Sequence, residues 1–108
     1  MTFTPDTDET PVLFRADREG GETCVTAVFP TIPADNAGQM MSCFAHIGQH
    51  SACDLGWYNQ TRPATPEEYA DLKRELESAP YGYKLKIYHR MQRGAFLAAR
   101  RAALAKMR

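Results

Sequence analysis

The chain is 108 residues long, 44% hydrophobic and 24% charged, with thirteen acidic and thirteen basic residues that cancel to a net charge of zero. That length suits one domain with a single core, the composition argues against wholesale disorder, and no internal repeat or low-complexity segment is present. No apolar run approaches the roughly 18–20 residues that a membrane helix needs.

The zero net charge conceals a strong partition. All thirteen acids lie at or before Glu77, where only five bases (Arg15, Arg18, Arg62, Lys73, Arg74) accompany them, so that part carries −8. From Ser78 onward there are eight bases and no acid, which gives +8. Such asymmetry points to an anionic partner for the C-terminal part, or to pairing between opposite ends of neighbouring molecules. The acidic, polar start MTFTPDTDETP is unlike a signal peptide, and three cysteines fit reduced thiols better than a disulfide framework. A cytoplasmic protein is expected.

In chain order, residues 1–11 read as a flexible acidic arm. Val12–Ala16 and Thr23–Phe29 are β-favouring runs joined through Arg18-Glu19-Gly20-Gly21, which predicts a hairpin. Pro30 and Pro33 are expected to end the second strand, because proline cannot donate to a ladder. Ala34–Gly38 is a loop, and Gln39–Ile47 a third strand candidate. Residues 48–63 show turn residues without a sustained period, so an irregular loop carrying Trp57 and Tyr58 is expected there; loops of that length are often functional.

The clearest local signal is ATPEEYADLKRELESA. Thr65 is placed as N-cap, Pro66 at the first helical position and Glu68 to complete a capping box, with Tyr69, Leu72 and Leu76 on one face. Tyr83–Arg90 alternates, which predicts a strand with Lys84, Lys86, Tyr88 and Arg90 outward and His89 partly buried. Met91–Arg108 is alanine-rich and predicts a basic second helix, a separate element after a domain spanning residues 12–90. The sum is an α+β fold, β-β-β-α-β-α, with a sheet of three to four strands, the capped helix packed on it and the basic helix at the C-terminus.

The segments Phe14-Arg15, Phe29-Pro30, Phe44-Ala45-His46-Ile47-Gly48-Gln49-His50 and Pro63 to Tyr69 together resemble a family of small proteins of bacteria and their mobile elements. The likeness covers roughly Val12 to Tyr88 and implies a shared fold without a mechanism. A mobile-element origin would suit an inhibitor that blocks a host complex.

Two stretches carry candidate chemistry. Cys43, His46, His50 and Cys53 form C-x2-H-x3-H-x2-C, zinc-ligand types at zinc-like spacing. A helix would spread the four over about 15 Å, too far for one ion, and a strand would turn Cys43 away from the histidines. Only a reversal at Gly48 gathers three ligands. The alternative is a buried Cys43, histidines hydrogen-bonded at a corner and Cys53 as a loop thiol. A thiol nucleophile activated by His46 or His50 is the enzymatic version, for which nothing local supplies the cationic setting that a thiolate needs. A non-catalytic role is therefore expected.

The second stretch is the basic helix. Arg93, Arg100, Arg101 and Arg108 fall in one arc with Leu97 and Leu104, opposite an alanine face. Either the alanines press on the domain and the arginines face outward, or Phe96, Leu97, Leu104 and Met107 face the core and the arginines snorkel around the edge. With Arg90, Trp57 and Tyr58, these residues are the expected contact surface for a protein or nucleoprotein partner with an acidic surface. Nucleic acid is the alternative partner.

Overall fold

The computed structural model describes residues 8–45 and 49–107. Its organising unit is the long hairpin of β1 (Thr10–Glu19) and β2 (Glu22–Pro33), antiparallel with Glu19 opposite Glu22. The two linking residues, Gly20 and Gly21, have φ of +58° and +85°. A two-residue hairpin loop whose twist matches its strands needs positive φ at both positions, which glycine alone adopts without strain.

The register pairs Leu13 with Val28 and Phe14 with Ala27. Because side chains alternate along a strand, Val12, Phe14, Ala16, Val25, Ala27 and Phe29 form one buried surface, while Leu13 and Val28 enter a second on the other side. Strand β2 continues through Pro30 to Pro33, but its register with β3 (Met41–Ala45) shifts between Phe29 and Pro33. The prolines interrupt the ladder rather than end the strand.

Beyond β3 the chain forms β4 (Gln49–Cys53), then the short helix α1 (Leu55–Asn59) and β5 (Arg62–Pro63). The irregular loop expected over 48–63 is thus largely regular structure: Asp54 caps α1 by accepting the Trp57 N–H at 2.8 Å. Helix α2 (Pro66–Glu77) has the expected capping box, with Thr65 and Glu68 each bonding the other's backbone N–H. Strand β6 (Leu85–Ile87) is shorter than the alternation at 83–90 suggests; Tyr88 is buried on the opposite side of the sheet and His89 is exposed. Helix α3 spans Arg93–Lys106.

The strands form a six-stranded sheet in the order β4-β3-β2-β1-β5, with β6 also beside β1 and parallel to its start. The α+β class therefore holds, with more strands than three or four. Thr10 and Pro11 pair with Leu85 and Lys86, so ordered structure begins before the expected limit of the N-terminal arm.

Two apolar clusters hold the layers together. Tyr69, Leu72 and Leu76 of α2 close over the Val12–Phe29–Phe44 surface, with Phe14 and Tyr69 stacked at 4.4 Å. Tyr58 of α1 and Phe96 of α3 cover Leu13, Val28, Met41, Cys43 and Cys53 on the other side. Complete burial of Leu72, Leu76, Phe29 and Phe96 is the main source of stability here, at about 1.5–3 kcal/mol for each large apolar side chain.

Candidate functional site

Helix α3 starts poorly by local rules. Its N-cap, Gln92, makes no side-chain capping bond, and no acid stands in its first turn. Tertiary contacts fix it instead. Phe96 is fully buried and meets Tyr88 edge-on at 5.3 Å. One turn on, Arg100 is 5% exposed; its Nε donates to the Gly38 carbonyl at 2.8 Å and its Nη1 to the Pro30 carbonyl at 2.6 Å.

These bonds follow from the sequence of β2. The prolines disrupt pairing with β3 at this point, and the buried guanidinium satisfies a carbonyl left there. Gly38, at φ +73°, lets α3 approach: a Cβ there would lie 3.4 Å from Leu104 Cδ2 and 3.5 Å from Arg101 Cγ. Arg100 is therefore an internal anchor, not part of a contact surface, which corrects the sequence expectation. The lone arginine on the helix's inner face was hidden by its periodic spacing with Arg93, Arg101 and Arg108.

Of the two packings open to the helix, the core-facing one is found for Phe96, with Leu97 and Leu104 half-buried, but Met107 is 74% exposed and points away. Ala95, Ala98 and Ala102 are exposed together with Arg93, Arg101 and Lys106. Arg90, also exposed, precedes the helix, and Arg108 lies outside the described residues.

Four of the described bases have carboxylate partners. Arg62 bonds Glu68, Lys73 bonds Glu77, Arg74 bonds Asp71 and Lys84 bonds Asp8, all within 3.1 Å. Among the described residues, Arg90, Arg93, Arg101 and Lys106 make no such pair. Exposed ion pairs contribute little stability. Arg15, Arg18 and Lys86 also lack a carboxylate partner, the first two donating to Thr61 and Gly21 oxygens, so what sets the α3 bases apart is that they cluster on one exposed element.

The described residues of the cysteine–histidine segment, Cys43, His50 and Cys53, do not converge on one point. Strands β3 and β4 place Cys43 opposite Ser51, Met41 opposite Cys53 and Phe44 opposite His50. Cys43 and Cys53 consequently lie on the α1/α3 side of the sheet, and His50 on the α2 side with Phe44. His46 lies outside the described residues. His50 Nε2 is 3.1 Å from the Tyr83 hydroxyl, and its ring packs against Phe44 and Tyr81 at 4.9 and 5.8 Å. It serves an aromatic cluster. Among the described residues, no three His, Cys, Asp or Glu side chains gather as a metal would require.

Tyr58 is also internal. It is 6% exposed, lies under the Arg15 guanidinium at 4.1 Å, and has its phenol pushed up in pKa by burial. Arg15 in turn donates to the Thr61 Oγ1 and carbonyl at 2.8 and 2.7 Å. Trp57 remains half-buried at the surface and forms one wall of a groove of about 630 Å³ on the α1/α3 side. Asp17, Glu19, Glu22 and Asp54 border this groove, and all three cysteines line it. Sequence reasoning missed it, although alternation about Val25 places Cys24 and Thr26 together on the face opposite the first cluster.

Compared with protein-family models, with curated proteins and with solved structures, the chain matches none. No helix among the described residues is long and apolar enough to cross a membrane.

Proposed function

We propose that this protein is a non-catalytic interaction module that occupies a negatively charged surface of a protein or nucleoprotein partner. The binding face is the outer side of α3: Arg90, Arg93, Arg101 and Lys106, with the edges of Leu97 and Leu104 at its margin. The carrying observation is the clustering of these four exposed bases on and just before one helix, with no carboxylate partner for any of them among the described residues. Phe96 and Arg100 hold the helix, so its charges are displayed on a rigid support and little ordering entropy is lost on binding. Trp57, half-buried on the same side of the sheet, stands among Asp17, Glu19, Glu22 and Asp54 and so lies outside this face. A mobile-element origin, which the family resemblance implies, fits an inhibitor acting by occupation of a host complex.

Nucleic acid is the second reading. It is favoured by the exposed Ala95, Ala98 and Ala102, whose short side chains let Arg93 and Arg101 approach a phosphate backbone closely. The test is capture from native host extract, with and without nuclease, by wild type and by a variant carrying Arg90→Ala, Arg93→Ala, Arg101→Ala and Lys106→Ala. The variant is expected to keep its far-UV CD and melting temperature and to lose the captured partner. Equal capture by both would sink the proposal. A captured partner whose affinity falls linearly with salt on a log–log plot and which nuclease removes selects nucleic acid.

A further inference from the structure

The groove beside α1 contains two cysteines that the interaction face does not use. Cys43 and Cys53 lie on adjacent antiparallel strands and the same side of the sheet, as diagonal neighbours: Cys43 faces Ser51, and Cys53 is two residues further along β4. Each is 5% exposed and each lines the groove. The Cys43 sulfur is 3.1 Å from the Ser51 hydroxyl. We infer that Cys43 and Cys53 are a peroxidatic and resolving pair, which a small uncharged hydroperoxide entering this groove converts reversibly to an intrachain disulfide.

The chemistry balances without a cofactor. The Cys43 thiolate attacks the distal peroxide oxygen; the O–O bond breaks, an alcohol (water, for hydrogen peroxide) leaves after taking up a proton, and Cys43 becomes a sulfenic acid. The Cys53 sulfur then attacks the Cys43 sulfur, the S–O bond breaks, and the Cys53 proton leaves with the hydroxyl as water. The two thiols lose two electrons and the hydroperoxide gains them. A thiol reductant reverses the change.

Local electrostatics assign the roles. The neighbouring Cys53 S–H, and after it the Ser51 hydroxyl, favour the Cys43 thiolate against the opposing effect of burial, so Cys43 is held below the ordinary thiol range. Cys53 is pushed up, first by Cys43 and then by burial, and stays a thiol until it resolves the sulfenic acid. Cys24 shares the groove but is pushed up by burial and by Glu19, Asp17 and Glu22, which makes it an internal control.

Two further features set the oxidant and the reversibility. The four carboxylates bordering the groove repel anionic disulfides such as oxidised glutathione and leave a neutral hydroperoxide unopposed. Diagonal neighbours are roughly 7–8 Å apart at Cα, beyond the relaxed disulfide range of about 4.4–6.8 Å. Strand β4 lies at the sheet edge beside β3, and a bond between the two cysteines would have to pull it out of its register-set spacing. The resulting bond is strained and easily reduced.

The experiment treats the full chain with hydrogen peroxide, or with oxidised glutathione, and maps the products by intact and peptide mass spectrometry. Peroxide is expected to remove two hydrogens and link Cys43 to Cys53, equally well in Cys24→Ser, and faster than glutathione disulfide at equal concentration. Cys53→Ser should stop at a dimedone-reactive sulfenic acid on Cys43. On untreated wild type, which needs no variant to fold, iodoacetamide should label Cys43 at a rate nearly flat from pH 7 to 9, where an ordinary thiol's rises about tenfold per unit at first. No Cys43–Cys53 link, a link through Cys24, a faster reaction with glutathione disulfide, or an ordinary pH profile at Cys43 would overturn the inference.

Discussion

Replacing Arg100 by alanine should destabilise the protein markedly, whereas replacing Arg101 beside it should not. Arg100 donates to two backbone carbonyls, of Gly38 and Pro30, from a side chain that is 5% exposed. A hydrogen bond from a charged donor contributes about 1.5–3 kcal/mol, and a carbonyl left buried without a partner loses its hydration as well. Removal of the guanidinium also relieves its own burial, which offsets part of the loss. The net expectation is about 2–4 kcal/mol, a fall of roughly 10–20 °C in melting temperature for a domain of this size. Arg100→Met keeps most of the packing but restores neither bond, so it should recover less than half of the loss. Arg101 is exposed and unpaired among the described residues, and Arg101→Ala should stay within about 0.5 kcal/mol of wild type. Differential scanning calorimetry of the three variants decides the matter. Equal melting of Arg100→Ala and Arg101→Ala would refute the anchoring argument and, with it, the view of α3 as a rigid support.

Two other perturbations test the elements that position this helix and the sheet beneath it. Gly38→Ala places a side chain at φ +73° beside α3 and should cost about 1–2 kcal/mol from backbone strain, read as a denaturant midpoint shift. At the α2 cap, the bond from Arg62, with the Thr65 backbone after it, lowers the Glu68 pKa to about 2 from an ordinary 4.5. A carboxylate depressed in the folded state adds stability above its unfolded value and loses it as pH falls through the folded one. Wild type should therefore lose stability between pH 4.5 and 2 more steeply than Glu68→Gln, with the Glu68 carboxyl NMR midpoint near the lower value.

What could be read in the sequence was what local chemistry decides. The α2 cap depends on residues within one turn, Thr65 to Glu68, and formed as expected. The hairpin was legible because Gly20 and Gly21 admit its tight loop between two β-favouring apolar runs. Strand β4 was not legible, since Gln49, His50, Ser51 and Ala52 have little preference for extended structure. Their strand exists because β3 offers an unpaired edge, which is a tertiary fact. The described part of the cysteine–histidine segment shows a related limit. Gathering three ligands depended on a reversal at Gly48; β3 and β4 do run antiparallel, but their register puts His50 on the face opposite Cys43 and Cys53. The Arg100 anchor required knowing that Pro30 and Gly38 would come together, across a separation that no periodicity records.

The start of α3 gives the proposed binding face its sharpest test, because stability and function make opposite demands there. A helix N-terminus carries partial positive charge and favours acids in its first turn. Here Arg93 is the first helical residue, without an acid or a side-chain cap to compensate. Local preference and the observed residue disagree, and such disagreements concentrate where a protein does something other than fold. Arg93→Glu should therefore stabilise the fold by about 0.3–1 kcal/mol in low salt, because the new charge meets the helix dipole favourably. The same substitution puts a negative charge on a face proposed to meet negative charge, so partner binding should fall at least about tenfold, with the larger share of the loss in association rate. A variant that melts higher and still binds as well as wild type would show that Arg93 is neither a stability device nor a contact. The binding face would then have to lie away from the N-terminal turn of α3.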